Sequence, residues 1–94
     1  MRSWPVAARV EIYTTDFCGY CTRAKRLLAS KGAAFTEIRA GDDPGKRREM
    51  IQRSQGTTYP QIFINGRHVG GSDDIHDLDR AGRLDALLAE PSAV

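Results

Sequence analysis

Cys18 and Cys21 are the two cysteines of a 94-residue chain, and Gly19 and Tyr20 lie between them. A thiol is a nucleophile only as its thiolate. Two thiols one helical turn apart can close on each other as a disulfide that a third thiol reopens. The pair can therefore pass two electrons at a time by thiol-disulfide exchange. A small secreted scaffold held by disulfides carries more pairs closing longer loops, so one tight pair points to redox chemistry in a reducing, cytoplasmic setting. Half of a structural zinc site is the competing reading. It needs two more ligands, and His68 and His76 fall on a hairpin strand and a helix without zinc-ligand spacing.

The flanking pattern makes the two sulfurs unequal. Arg9 to Thr14 alternates and is rich in β-branched and aromatic residues, which predicts a strand ending at the Thr15-Asp16-Phe17 turn. From Gly19 to Lys31, Cys21, Ala24, Leu27 and Leu28 recur at helical spacing, with Arg23, Lys25 and Arg26 on the other side and Gly32 as the closing glycine. Cys18 then stands where strand gives way to helix, beside the free N–H groups of Gly19, Tyr20 and Cys21, a setting that favours an anion. A free cysteine has a pKa of ~8.5, and Cys-X-X-Cys thiols at helix starts fall to ~3.5–7.5. Cys18 is thus expected to be the attacking nucleophile. Cys21, one turn further on, is expected to be the resolving thiol.

The rest of the chain must position this pair. Ala34 to Arg39 reads as a second strand, reached through a helix long enough for a right-handed parallel crossover. Asp43-Pro44 marks the start of a helix with Met50 and Ile51 on its buried stripe, running to about Ser54, and Gly56 is expected to end its exit turn. Asn65-Gly66 between Gln61-Ile62-Phe63-Ile64 and Arg67-His68-Val69 predicts an antiparallel hairpin. Ile75, Leu78, Leu84, Leu87 and Leu88 predict a helix from Ser72, either continuous or broken near Gly82, and the last residues from Pro91 are expected to fray. The order gives an α/β fold: a four-stranded mixed sheet flanked by helices, one domain over residues 1–94 with its core at about 9–89.

Composition narrows the function classes. Hydrophobic residues at 40% and charged residues at 28% are ordinary for a soluble globular protein, and no apolar run reaches the ~18 residues of a membrane span. The first eight residues lack the continuous apolar stretch of an export signal. A net charge of +2 is too small to argue for nucleic acid, and Arg23, Lys25, Arg26, Lys46, Arg47 and Arg48 read as solvated helix faces. His68 and His76 read as surface or packing residues.

Three motifs in order, Cys18-Gly19-Tyr20-Cys21, Thr58-Tyr59-Pro60 and Gly70-Gly71-Ser72-Asp73-Asp74, resemble those of the dithiol glutaredoxins, and the likeness runs from about Val10 to Leu88. The resemblance implies a thioredoxin-like fold with a cis peptide before Pro60, which sets the Tyr59 backbone beside the active-site sulfur to pair with the cysteinyl part of glutathione. It implies a glutathione site made by Tyr20, Thr58, Tyr59, Pro60, Gly71, Ser72 and Asp73. There the backbone at Ser72 would meet the γ-glutamyl carboxylate and Asp73 its ammonium, with Tyr20 as a wall and Arg53 or Gln55 near the glycine carboxylate. The activity implied is glutathione-dependent reduction of protein-glutathione mixed disulfides and protein disulfides by a cytoplasmic monomer.

This chain departs from the family pattern in three places. Thr15 stands where many dithiol members have a lysine, which removes one cation near the thiolate. Gly19 replaces the commoner proline, loosening the first helical turn and adding an N–H donor. Tyr59 replaces the usual valine. A Gly-Tyr interior also resembles members that hold a 2Fe-2S cluster between two protomers through the first cysteine and glutathione. That gives a rival from another class, a glutathione-bridged dimer with the cluster on Cys18. A thioredoxin-like reductase indifferent to glutathione is disfavoured by the Gly-Gly-Ser-Asp-Asp segment.

Overall fold

The computed structural model describes residues 7–91. Its sheet has the order β2-β1-β3-β4, with β1 Val10–Thr14, β2 Phe35–Arg39, β3 Gln61–Ile64 and β4 Arg67–Gly70. β1 pairs parallel with β2 (Val10 opposite Phe35) and antiparallel with β3 (Val10 opposite Ile64), while β3 and β4 form the antiparallel hairpin. The helices are α1 Gly19–Ser30, α2 Pro44–Ser54, α3 Ser72–Arg80 and α4 Leu84–Ala89.

Side-chain alternation along β1 explains the layering. Val10 and Ile12 point to one face, where they join Ala24 and Leu28 of α1, Ile75 of α3 and Leu84 and Leu88 of α4. Tyr13 points to the other face and packs with Met50 of α2, Phe63 and Ala40. A central strand buried on both faces can therefore carry Cys18 only beyond its end, where the chain leaves the sheet. Burial of a side chain such as Leu28 or Ile75 in this core contributes about 1.5–3 kcal/mol.

The helix ends follow local chemistry. Asp43 caps α2, its carboxylate accepting from the Lys46 N–H at 3.1 Å, and Pro44 opens the helix. Gly32 (φ 71°) turns the chain out of α1, and Gly82 (φ 73°) separates α3 from α4. At the exit of α2, Gln55 is left-handed, with φ 61°, and Gly56 follows it. Gly56 must be small, because a Cβ there would meet the Gln61 side-chain amide at 2.7 Å. The expected fraying of the C-terminus falls largely on residues 92–94, outside those described.

Candidate active site

Cys18 is the N-cap of α1. Its backbone is extended (φ −114°, ψ 104°), and its sulfur accepts from the Cys21 N–H at 3.1 Å, where a serine or aspartate oxygen usually sits. The first turn of α1 has no acidic residue to compete with a thiolate for the helix N-terminus. Cys18 and Cys21 are joined as a disulfide with their Cα atoms 5.2 Å apart, ordinary spacing for such a bond. Cys21 is buried and Cys18 half-buried, so an incoming thiol meets Cys18 first.

The peptide between Tyr59 and Pro60 is cis, and the Tyr59 carbonyl oxygen lies 4.0 Å from the Cys18 sulfur. Tyr20, Thr58, Tyr59, Pro60, Gly71, Ser72, Asp73 and Asp74 line one groove of about 330 Å³. All seven residues assigned from the sequence to the glutathione site thus converge on it, with Asp74 added. A cavity of about 500 Å³ lies elsewhere, between the hairpin and α3–α4, away from both cysteines.

Three side chains to which the sequence assigned no role in the site hold this groove in shape. Buried Gln61 donates to the Thr58 carbonyl at 3.0 Å and to its hydroxyl at 3.3 Å, and its amide oxygen pairs with His68 at 2.7 Å. A polar residue opening a buried apolar strand was the available signal. Asp74 accepts from the Gly71 N–H at 2.8 Å and so sets the start of α3. Gly70, at φ +116°, leaves room for that carboxylate. Arg47 donates to the Tyr59 hydroxyl at 3.1 Å and lies 5.7 Å from the ring centroid, which gives the unusual tyrosine a partner.

At the start of α3, Ser72 is buried and its hydroxyl has no hydrogen-bond partner among the described residues. Ser72 therefore offers the groove its backbone. Asp73 is exposed and has no ion pair among the described residues. A ligand with a carboxylate beside an ammonium matches backbone N–H groups next to a free aspartate.

Arg53 and Gln55 do not line the groove. Arg53 pairs with Glu11 at 3.0 Å, donates to the Tyr13 hydroxyl at 2.8 Å and stacks 3.9 Å from the Phe63 ring centroid. Its proximity to Glu11 on the α2 face of β1 overrides the role expected of it. Burial, followed by a hydrogen bond to Glu49, raises the Tyr13 phenol above its ordinary range although Arg53 opposes this. Gln55 donates to the Gln52 carbonyl at 3.1 Å.

On the opposite side of Cys18, where the missing lysine would stand, Thr15 lines a polar hollow of about 340 Å³ with Lys25, Glu37 and Arg39. The cations there are already paired, Lys25 with Glu37 at 3.1 Å and Arg39 with Asp16. The Glu37 carboxyl is held below its usual range, first by the Thr14 hydroxyl at 2.7 Å and then by Lys25.

Among the described residues no helix is long and apolar enough to cross a membrane, and no cluster of three or more His, Cys, Asp or Glu converges as a metal site. Residues 10–69 match the glutaredoxin family model. The chain is 56% identical over 81 residues to glutaredoxin 3 of Escherichia coli, covering 86% of this chain and 98% of that one. Its fold is similar to the solution structure of a glutaredoxin from Brucella melitensis, with TM-score 0.79, 52% identity and coverage of 90% and 92% of the two chains. It is also similar to a crystal structure of a buckwheat glutaredoxin-glutathione complex, with TM-score 0.77, 30% identity and coverage of 86% and 76%.

Proposed function

The chain belongs to the glutaredoxin family of thiol-disulfide oxidoreductases, and from that premise we propose that it reduces protein-glutathione mixed disulfides and protein disulfides with glutathione as the reductant. The observation that carries this reading is the groove formed by Tyr20, Thr58–Pro60 and Gly71–Asp73, with the Tyr59 carbonyl 4.0 Å from the Cys18 sulfur. The similar buckwheat glutaredoxin, solved as a complex with glutathione, adds support.

The Cys18 thiolate attacks the glutathione sulfur of a mixed disulfide. The S–S bond breaks, the protein thiolate leaves and takes up a proton, and Cys18 is glutathionylated. Glutathione lies with its γ-glutamyl carboxylate on the backbone N–H groups at the start of α3, its ammonium toward Asp73, and its cysteinyl backbone along Tyr59. A second glutathione thiolate then attacks the bound glutathione sulfur, releasing Cys18 and oxidised glutathione. In dithiol turnover Cys21 attacks the Cys18 sulfur instead and expels glutathione, leaving the Cys18–Cys21 disulfide present in this structure. Placed at a helix N-cap, Cys18 is a good leaving group as well as a nucleophile.

A monomer in a reducing, cytoplasmic compartment suffices for these steps. The cluster-binding alternative needs more than one copy, since Cys18 would be a single ligand and no cluster of ligands completes the set among the described residues. Anaerobic purification with glutathione separates the two. A colourless monomer that turns over the mixed disulfide of glutathione and mercaptoethanol supports the enzyme. A brown dimer with little such turnover overturns it.

A further inference from the structure

We propose that Phe17, with Tyr20, Arg23 and Arg26, is a docking surface for protein substrates, and that it receives acidic polypeptide segments bearing an apolar side chain next to the disulfide-linked cysteine. The inference rests on the reading of Cys18 as the nucleophile.

Phe17 and Tyr20 are the large apolar side chains left exposed among the described residues, at 107% and 58%, and they flank Cys18 on either side. Phe17 also has φ 54°, a left-handed backbone disfavoured for a bulky side chain. Asparagine or glycine would suit that backbone better, and full exposure removes any packing reason for an aromatic ring. Both facts oppose phenylalanine on grounds of folding, so a use outside the fold is left.

The charge of the same face selects the partner. Gly19, Tyr20, Thr22, Arg23 and Arg26 line a shallow hollow of about 490 Å³, which meets the polar hollow beside Phe17 at Gly19 and Thr22. Lys25, Arg39, Asp16 and Glu37 on this side are paired off, whereas Arg23 and Arg26 have no ion pair among the described residues. α1 itself has no acidic residue. A Cβ at Gly19 would meet nothing within 4 Å, so the approach to Cys18 between the two aromatics is open. A peptide lying along it would cover Phe17 with an apolar side chain and set its carboxylates against the two arginines.

The test uses two glutathionylated peptides, one with Leu, Asp and Glu around the cysteine and one with Ser and Lys, together with the mixed disulfide of glutathione and mercaptoethanol. Phe17→Asn, chosen because asparagine tolerates the left-handed backbone, should lower kcat/KM for the acidic peptide about tenfold, the scale of uncovering one aromatic anchor. It should leave the small substrate within about twofold, and Phe17→Leu should restore most of the loss. Arg23→Glu with Arg26→Glu should lower the acidic peptide and raise the basic one. Equal effects of Phe17→Asn on all three substrates, or no effect, overturn the proposal. Binding of the acidic peptide, with serine for its cysteine, to the oxidised protein is read by fluorescence anisotropy and needs no turnover. It should weaken about tenfold in Phe17→Asn, and equal binding overturns the docking surface even if the enzymatic reading fails. A concentration-dependent dimer that Phe17→Asn dissociates would assign the surface to a second copy and likewise overturn it.

Discussion

Replacing Ser72 by alanine should stabilise the protein while leaving glutathione recognition intact. The Ser72 hydroxyl is buried at the start of α3 and has no hydrogen-bond partner among the described residues. Such a group carries a desolvation penalty of about 1–3 kcal/mol. Removing one oxygen leaves a hole on the order of 10–20 Å³, which at about 24 cal/mol per Å³ costs about 0.2–0.5 kcal/mol. The net gain is about 0.5–2.8 kcal/mol, and for a domain of this size each kcal/mol raises Tm by about 4–8 °C. Urea and thermal unfolding of the oxidised protein measure this, and steady-state kinetics give the KM for glutathione. Because Ser72 serves the groove through its backbone, that KM should stay within about twofold. A loss of stability in Ser72→Ala would show that the hydroxyl has a partner, and a large rise in KM would show that glutathione is that partner. Either result refutes the reasoning.

Asp73→Asn removes the exposed charge set to meet an ammonium and should raise the KM for glutathione about three- to tenfold with little change in kcat, whereas a matching fall in kcat would contradict a pure binding role. Arg53→Ala strips the partner from Glu11 and Tyr13 and the cation from the face of Phe63; with side-chain exposures of 28% and 20% in the ion pair, it should cost about 2–3 kcal/mol in urea unfolding, and a raised glutathione KM at unchanged stability would restore the role expected from the sequence. Glu37 has a folded-state pKa below its unfolded value, so its contribution is complete above the ordinary carboxylate range near ~4.3 and is lost as pH falls through the lower folded value. Stability should therefore drop more between about pH 6 and about pH 3 in the parent protein than in Glu37→Gln, and parallel curves would contradict the Thr14–Glu37–Lys25 arrangement.

The elements of this fold were legible because their signals are local. Asp43-Pro44 opens α2, Asn65-Gly66 turns the hairpin, and Gly32 and Gly82 close helices, each through backbone chemistry within a few residues. The position of Cys18 as an N-cap followed from the same logic. The convergence of Tyr20, Tyr59 and Ser72 on one groove is not local. It was reached through a family resemblance, since spacing alone does not bring residues from three segments together. What the sequence concealed was pairing across the sheet and between loops. Arg53 is claimed by Glu11 and Tyr13 on the facing side of β1, and Gly56 is kept small by Gln61. Phe17 carried no periodic signal, and its exposure and backbone appear only in three dimensions.

The central claim is that Cys18 and Cys21 have unequal roles: Cys18, on the N-terminus of α1, performs every attack on substrate, and buried Cys21 serves only to resolve. Glutathione-dependent turnover of a glutathionylated protein by Cys18→Ser and Cys21→Ser, measured side by side, tests it. The account predicts no turnover by Cys18→Ser and retained deglutathionylation by Cys21→Ser; equal loss in both, or activity surviving in Cys18→Ser, would contradict it.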